Sequence, residues 1–402
     1  MSADEPPSPF APGDLEPADL EILDFDLPGA TSGNDAPGPG FFLRGHGAES
    51  FRFVPWTSER SLTEALAKLP PVAPTSDATA EVRMAPGRYV IESEILINGV
   101  HHLTFTGHPE AEFVFADGPD ATTHLIGPVA EGDLVLRVEH PSRMRAGFHY
   151  QIYAADGRGD RMLEFTVLAV KDGLVYLKRA VNFMQHVTAI RAGAQVMQQV
   201  NFLRVRKCHD LTLQGLRLDG RHRGGTRTHT TYCGAYVTGN YVPHRRATTK
   251  GLVVRGCTFR NLKGRGIAFY GMEDVTIERN YFEHIRAQAI EIDHFASGYI
   301  HGNVVNGAEI GVMVNDAYES VVEGNILRHC QDGVRFMEIY DDPWVNTGNL
   351  VRGNDIGPGY RFGVFFRNEG MVDNVVEGNV FRGFKANDRV VGGEGNEIRL
   401  DG

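Results

Sequence analysis

Residues 266–316 read GIAFYGMEDVTIERNYFEHIRAQAIEIDHFASGYIHGNVVNGAEIGVMVND, and they carry three versions of one phrase: GIAFYG, AIEIDH and GVMVND. In each, apolar residues alternate with other types over four to six positions, the pattern of a strand with one buried face. Two more versions follow, GVRFME and GVFFRN, and helical periodicity is absent. The first buried position of each phrase gives the series Ile267, Ile290, Val312, Val334 and Val364, spaced by 23, 22, 22 and 30. An asparagine series keeps a similar beat: Asn280, Asn303, Asn325, Asn354 and Asn379, spaced by 23, 22, 29 and 25.

A period near 22–25 residues, built of short strands and turns, predicts an all-β solenoid, a right-handed parallel β-helix. One coil cannot bury its inward side chains alone, whereas stacked coils share a continuous core. Gly and Asn recur where the chain turns sharply, because both tolerate positive φ. The asparagines are expected to stack into a hydrogen-bonded ladder, a structural role.

Upstream, SLTEALAKLP (61–70) puts Leu62, Ala65, Leu66 and Leu69 on one face of a predicted capping helix. Strands separated by a Pro86-Gly87 turn follow. This order of helix, strand, PG-x-Y and strand resembles the opening of pectate-lyase-like β-helix proteins. The resemblance spans about residues 50–400 and implies a right-handed parallel β-helix with polysaccharide lyases, C-5 epimerases and glycoside hydrolases among its relatives. A segment that alternates differently, about 126–196, resembles the small β subdomain inserted early in some members.

The chain has 402 residues, 42% of them hydrophobic, and no apolar run near the ~20 residues of a membrane-spanning helix. Residues 1–40 hold nine acids, eight prolines and no Lys or Arg, and are expected to form an acidic, Pro-rich tail ahead of a β-helix over 41–402. The net charge is −11, which leaves −2 for the other 362 residues, so a duplex nucleic-acid footprint is not expected. The start lacks a basic stretch and an apolar segment, which leaves a cytoplasmic protein, or a secreted one whose signal was removed. Cys208, Cys233, Cys257 and Cys330 lack metal-finger spacing; Cys257 and Cys330 fall at coil positions that read as core.

Aligned on the repeated phrase, the outward residues form two columns and a fringe. The columns hold Glu291, Met313 and Arg335, then Tyr270, Asp293, Asn315 and Arg367; the fringe holds His294, Asp316 and Glu338. An exposed strand row usually carries Thr, Ser, Lys and Val, so a row of acid, base and phenol predicts a site facing water. Insertions at 219–232, 240–249 and 338–348 are expected to wall it, bringing His229, His244, Arg245, Arg246 and Trp344 over the patch. Trp344 suits sugar stacking, or equally a hydrophobic anchor.

The expected groove is long and polar, which suits a polysaccharide or oligosaccharide substrate. Phosphate-loop, His-Glu-x-x-His and serine-triad motifs are absent. No cofactor is expected, although Asp341-Asp342 or Glu291 with Asp293 offer oxygen ligands for Ca²⁺. In one mechanism, Arg335 and Arg367 clamp a uronate carboxylate while Tyr270 and His294 act as acid and base at C-5, with Asp293 or Asp316 orienting the histidine. Expelling the glycosidic oxygen makes a lyase; returning the proton to the other face makes an epimerase. This set looks like that of alginate-type lyases and C-5 epimerases, although the epimerase Asp-Pro-His motif is absent and IDHF matches it only in part. A second mechanism is hydrolysis by paired carboxylates, Asp293 with Asp316 or Glu338, similar to the polygalacturonase-like branch but without its paired-aspartate and Arg-x-Lys motifs. A third reading is a non-catalytic glycan-binding or structural β-helix.

Overall fold

The computed structural model describes residues 38–116, 123–153, 161–182, 190–221, 232–240, 242, 245–339, 346–367, 370–390 and 395–399. Strands of 2–13 residues stack in parallel as successive rungs around one apolar core. One face is a twelve-stranded sheet that includes Ala80–Met84, Leu103–Thr106, Leu211–Gln214, Thr249–Arg255 and Met272–Glu278. The other two faces belong to one fifteen-stranded sheet, because Tyr281–Asp293, Val304–Asn315 and Ile326–Met337 each run through a bend from the second face to the third.

Register on the third face follows the repeated phrase. Ile267, Ile290, Val312, Val334 and Val364 are consecutive Cα partners, and so are Phe269, Ile292, Val314, Phe336 and Phe366. All ten are buried, and Phe336 stacks on Phe366 with centroids 4.3 Å apart. Each such side chain contributes about 1.5–3 kcal/mol by leaving water.

The asparagine ladder is present. Nδ2 of Asn280, Asn303, Asn325 and Asn354 each donates to Oδ1 of the next member at 2.9–3.0 Å, and the backbone N–H of each donates to the same oxygen. Each buried amide thereby ties two coils together and fixes their register. The residue before each ladder position lies in the left-handed region: Arg279, Gly302, Gly324, Gly353 and Gly378 have φ between 51° and 62°. A second ladder, unmarked by the repeated phrase, runs from Asn349 through Asn374 to Asn396.

The helix Glu59–Ala67 closes the N-terminal end. Its N-cap Ser58 accepts from Arg60 N–H, and Leu62, Ala65 and Leu66 cover the core. Strands between Thr123 and Gln198 form a separate six-stranded sheet with its own apolar cluster around Ile152, Val167 and Val196. This sheet is tied to the coils by Gln198 Nε2, which donates to the Glu92 carbonyl at 2.8 Å, and by the Arg145–Glu92 ion pair.

Asn325→Ala removes the acceptor of the Asn303 backbone N–H, while Asn303 Nδ2 keeps the Ile277 and His301 carbonyls. Stranding one buried donor, it is expected to lower stability by about 1–3 kcal/mol in urea denaturation. An unchanged midpoint would show that the ladder does not hold the register.

Candidate active site

The third face carries the outward residues in rows set by the same register. Arg204, Tyr236, Ala268, Glu291, Met313, Arg335 and Phe365 form one column. Beside it, Arg206 precedes Thr238, Tyr270 and Asp293, and Asn315 pairs with Met337. These side chains point away from the core, but they do not face water as their alternation suggested. Tyr270, Glu291, Asp293, Met313, Asn315, Asp316 and Arg335 are all buried, whereas Arg367 is exposed. They bury one another: the Tyr236 and Tyr270 rings lie 5.0 Å apart, and Tyr270 meets His294 edge-on at 5.2 Å.

Arg265 organises the centre. It sits at the bend before the strand Ile267–Tyr270 and reaches across two rungs. Its Nη1 donates to the Tyr270 hydroxyl at 2.5 Å, and its Nε lies 2.5 Å from Glu291 Oε2. The Tyr270 hydroxyl in turn donates to Glu291 Oε2 at 3.1 Å. Gln288 accepts from Arg265 Nε at 3.2 Å and contacts the Met313 sulfur. Burial raises the Glu291 carboxyl to about 7; Arg265 opposes the shift and the neighbouring Asp293 adds to it. Burial also holds the Tyr270 phenol well above its usual value. For Arg265, burial works against the charge, but Glu291 together with Tyr270, Tyr236 and Cys233 outweighs it and keeps the guanidinium charged.

Asp293, His294 and Asp316 form the second half of the site. Asp293 Oδ1 holds the Nδ1 of His294. Burial alone would lower the His294 imidazole, but the charge and hydrogen bond of Asp293, together with the charges of Asp316 and Glu291, raise it. His294 and Asp316 both have left-handed backbone, φ 56° and 46°, at the corner that ends the strand; the preceding coil has Gly271 there at φ 58°. Left-handed backbone costs a non-glycine residue roughly 1–2 kcal/mol, and such positions gather at functional sites. Asp316 Oδ1 also accepts from Ile339 N–H at 2.9 Å. Asp293, His294 and Asp316 each offer a ligand atom within 4.8 Å of the others, a mixed nitrogen and oxygen set able to hold a divalent cation. Glu291, proposed from sequence as a Ca²⁺ ligand, instead lies against Arg265 and Tyr270.

Other predicted residues are placed differently. Arg335 is held by Asp332 at 2.5 Å, and Arg361 binds the same carboxylate, so this guanidinium is engaged rather than presented to a substrate. Arg367 Nη1 contacts the Met337 sulfur at 3.3 Å, and Glu338 accepts from Gly370 N–H. Arg246 pairs with Glu319 at 2.8 Å and lies over the Tyr318 ring. His229, His244, Asp341, Asp342 and Trp344 lie outside the described residues, as does the acidic tail through residue 37. Sequence reasoning passed over Arg265, Gln288 and Asp332, which share one coil position just before the Gly or Ala that precedes each repeated Ile or Val. A polar residue there, where Ile310 and Phe362 also stand, was the available signal. All four cysteines are buried free thiols.

Arg265→Met strands the buried Glu291 carboxylate and is expected to cost about 3–5 kcal/mol, with much of the loss recovered in Arg265→Met/Glu291→Leu. Chemical denaturation of both variants checks this; a single variant as stable as wild type would dissolve the ion pair as an organising contact.

The family described as right handed beta helix region matches residues 202–400. Among solved structures, XylC in complex with xylose is similar at a TM-score of 0.37 and 10% identity, over 76% of this chain and 64% of that one. The chain thus spans just under two thirds of the XylC length. An exopolygalacturonase from Thermotoga maritima is similar at 0.36 and 10% identity, over 73% and 68% of the two chains. The A-module of an Azotobacter vinelandii mannuronan C-5 epimerase is similar at 0.34 and 12% identity, over 86% and 96%. No curated protein sequence matches the chain.

Proposed function

We propose that this right-handed parallel β-helix chain is an enzyme acting on a polysaccharide by proton transfer at C-5 of a uronic acid unit, as a lyase or an epimerase. One observation carries the reading. Asp293 holds His294 by Nδ1, the imidazole meets Tyr270, and the phenol lies between Arg265 and Glu291, so acid, base and cation form one connected chain.

The C-5 proton beside a carboxylate is weakly acidic, so the site must neutralise the carboxylate and aim a base. Arg265, committed to Glu291 and the Tyr270 hydroxyl, sets the electrostatics of this centre rather than meeting the substrate itself. His294 takes the proton through Nε2, and Asp293 steadies the imidazolium that forms. In a lyase, the C–H electron pair becomes the C4–C5 double bond, the C4–O bond breaks, and the Tyr270 phenol protonates the leaving oxygen. Glu291, titrating near neutrality, then returns a proton to the phenolate. In an epimerase, the phenol instead delivers its proton to the opposite face of C-5.

A second reading rests on Glu291 itself. A carboxyl held to about 7 suits the general acid of a glycosidase, with Glu291 in that role and the neighbouring Asp293 or Asp316 as base or nucleophile.

Incubation with uronate and neutral polysaccharides in D2O separates these readings. An unsaturated-uronate absorbance marks a lyase, deuterium uptake alone an epimerase, and reducing ends without absorbance a hydrolase. His294→Asn, which tolerates the left-handed corner, is expected to lose at least about 100-fold in turnover at unchanged thermal midpoint. A histidine base must be unprotonated, so kcat/KM is expected to rise as pH climbs past a midpoint above 6.5. With Glu291 as essential acid, the rate would instead fall as pH passes about 7. Silence in every channel would contradict an enzymatic role on these glycans.

A further inference from the structure

Two arginines stand at the N-terminal end of the functional columns, on the strand Asn201–Arg206. Arg204 precedes Tyr236 in the column of Glu291, and Arg206 precedes Thr238 and Tyr270 in the column of Asp293. At about 4.8 Å per rung, Arg206 lies roughly 10 Å along the axis from Tyr270.

Arg204 is the unusual one. It is only 6% exposed, and its guanidinium lies over the Tyr236 ring with the central carbon 4.2 Å from the ring centroid. Stacking satisfies the flat face of the cation but offers nothing to its N–H edges. Nε and Nη1 are buried, and neither has a hydrogen-bond partner among the described residues. Buried donors without acceptors are costly, and the other buried arginines of this face, Arg265 and Arg335, are both ion-paired. The nearby acid does not fill the gap: Glu94 is paired in register with Asn201, and its own buried Oε2 lacks a partner. The inserted sheet adds His149, Glu164 and Lys178, charged groups that stand near Arg204, Arg206 and Glu94 at this end.

We propose that Arg204 is a remote subsite for an oxyanion, receiving a carboxylate of the glycan chain several units away from the reacting sugar. The Tyr236 ring fixes the guanidinium plane, so the unsatisfied N–H groups are held ready before the substrate arrives. Arg206 adds long-range attraction for the same charge. This inference rests on the columns being the glycan groove.

The test is calorimetric binding to the full chain, measured apart from turnover in the His294→Asn background. The probes are oligogalacturonate, oligomannuronate, the carboxyl-reduced neutral form of each, and acetate. At least one acidic oligomer is expected to bind tenfold or more tighter than its neutral counterpart. Arg204→Gln is expected to erase that preference without lowering the thermal midpoint, and Arg204→Lys to restore part of it. Arg204-dependent acetate binding would show that a free anion suffices; dependence seen only with oligomers would assign the subsite to the glycan. The proposal is overturned if Arg204→Gln keeps the full acidic preference, or if neither an acidic oligomer nor acetate binds. Turnover of a uronate polymer by wild type without Arg204-dependent binding removes this subsite alone. Arg204-dependent binding without wild-type turnover removes the catalytic reading alone.

Discussion

Rung-to-rung hydrogen bonding, locked by buried asparagine amides, is the constraint from which the rest of this molecule follows. Each coil is held one strand spacing from the next, and the ladder from Asn280 to Asn379 forbids a slip in register. Position within a coil therefore becomes a place on the surface. Residues about 22 apart in sequence, such as Glu291 and Met313, become neighbours, and a row of chemically active side chains is assembled from strands with little else in common.

The consequence on the third face is a polar layer almost as fully buried as the core beneath it. A carboxyl, a phenol and a guanidinium removed from water raise one another's stakes: Arg265 keeps its charge because Glu291 faces it, while burial moves Glu291 toward neutrality. His294 shows the opposite balance, since the carboxylates around it, Asp293 foremost, together override burial. One short stretch of surface thus holds an acid and a base tuned away from their ordinary ranges, as proton transfer at near-neutral pH requires. The left-handed corners at His294 and Asp316 fit the same picture, because the chain there accepts a backbone that glycine serves in the coil before.

How much of this was legible depended on which part of a coil carried the signal. The repeated phrase exposed the strand pairing and the inward columns, because period-two alternation and a fixed coil length are both written in residue order. It also placed Tyr270, Glu291, Asp293 and Asn315 on one face. Their burial was not legible, since alternation tells which way a side chain points and not what packs over it. Arg265 was passed over because it stands at a bend, where strand periodicity lapses. Arg204 belongs to NFLRVR, a coil without the repeated phrase, so nothing in residue order aligns its outward row with the others. Arg335 was visible as an arginine in the row, but its partner Asp332 lies across a glycine on the same strand, a contact only the bend creates.

The Asp293 carboxylate, set in place by the stacked coils, governs the protonation of His294. Nitrogen-15 NMR of the histidine rings across pH tests it most directly. His294 is expected to titrate above 6.5, with its proton kept on Nδ1, and Asp293→Asn to drop the midpoint below that of wild type. A His294 midpoint at or below 6.5 that ignores the substitution would contradict it.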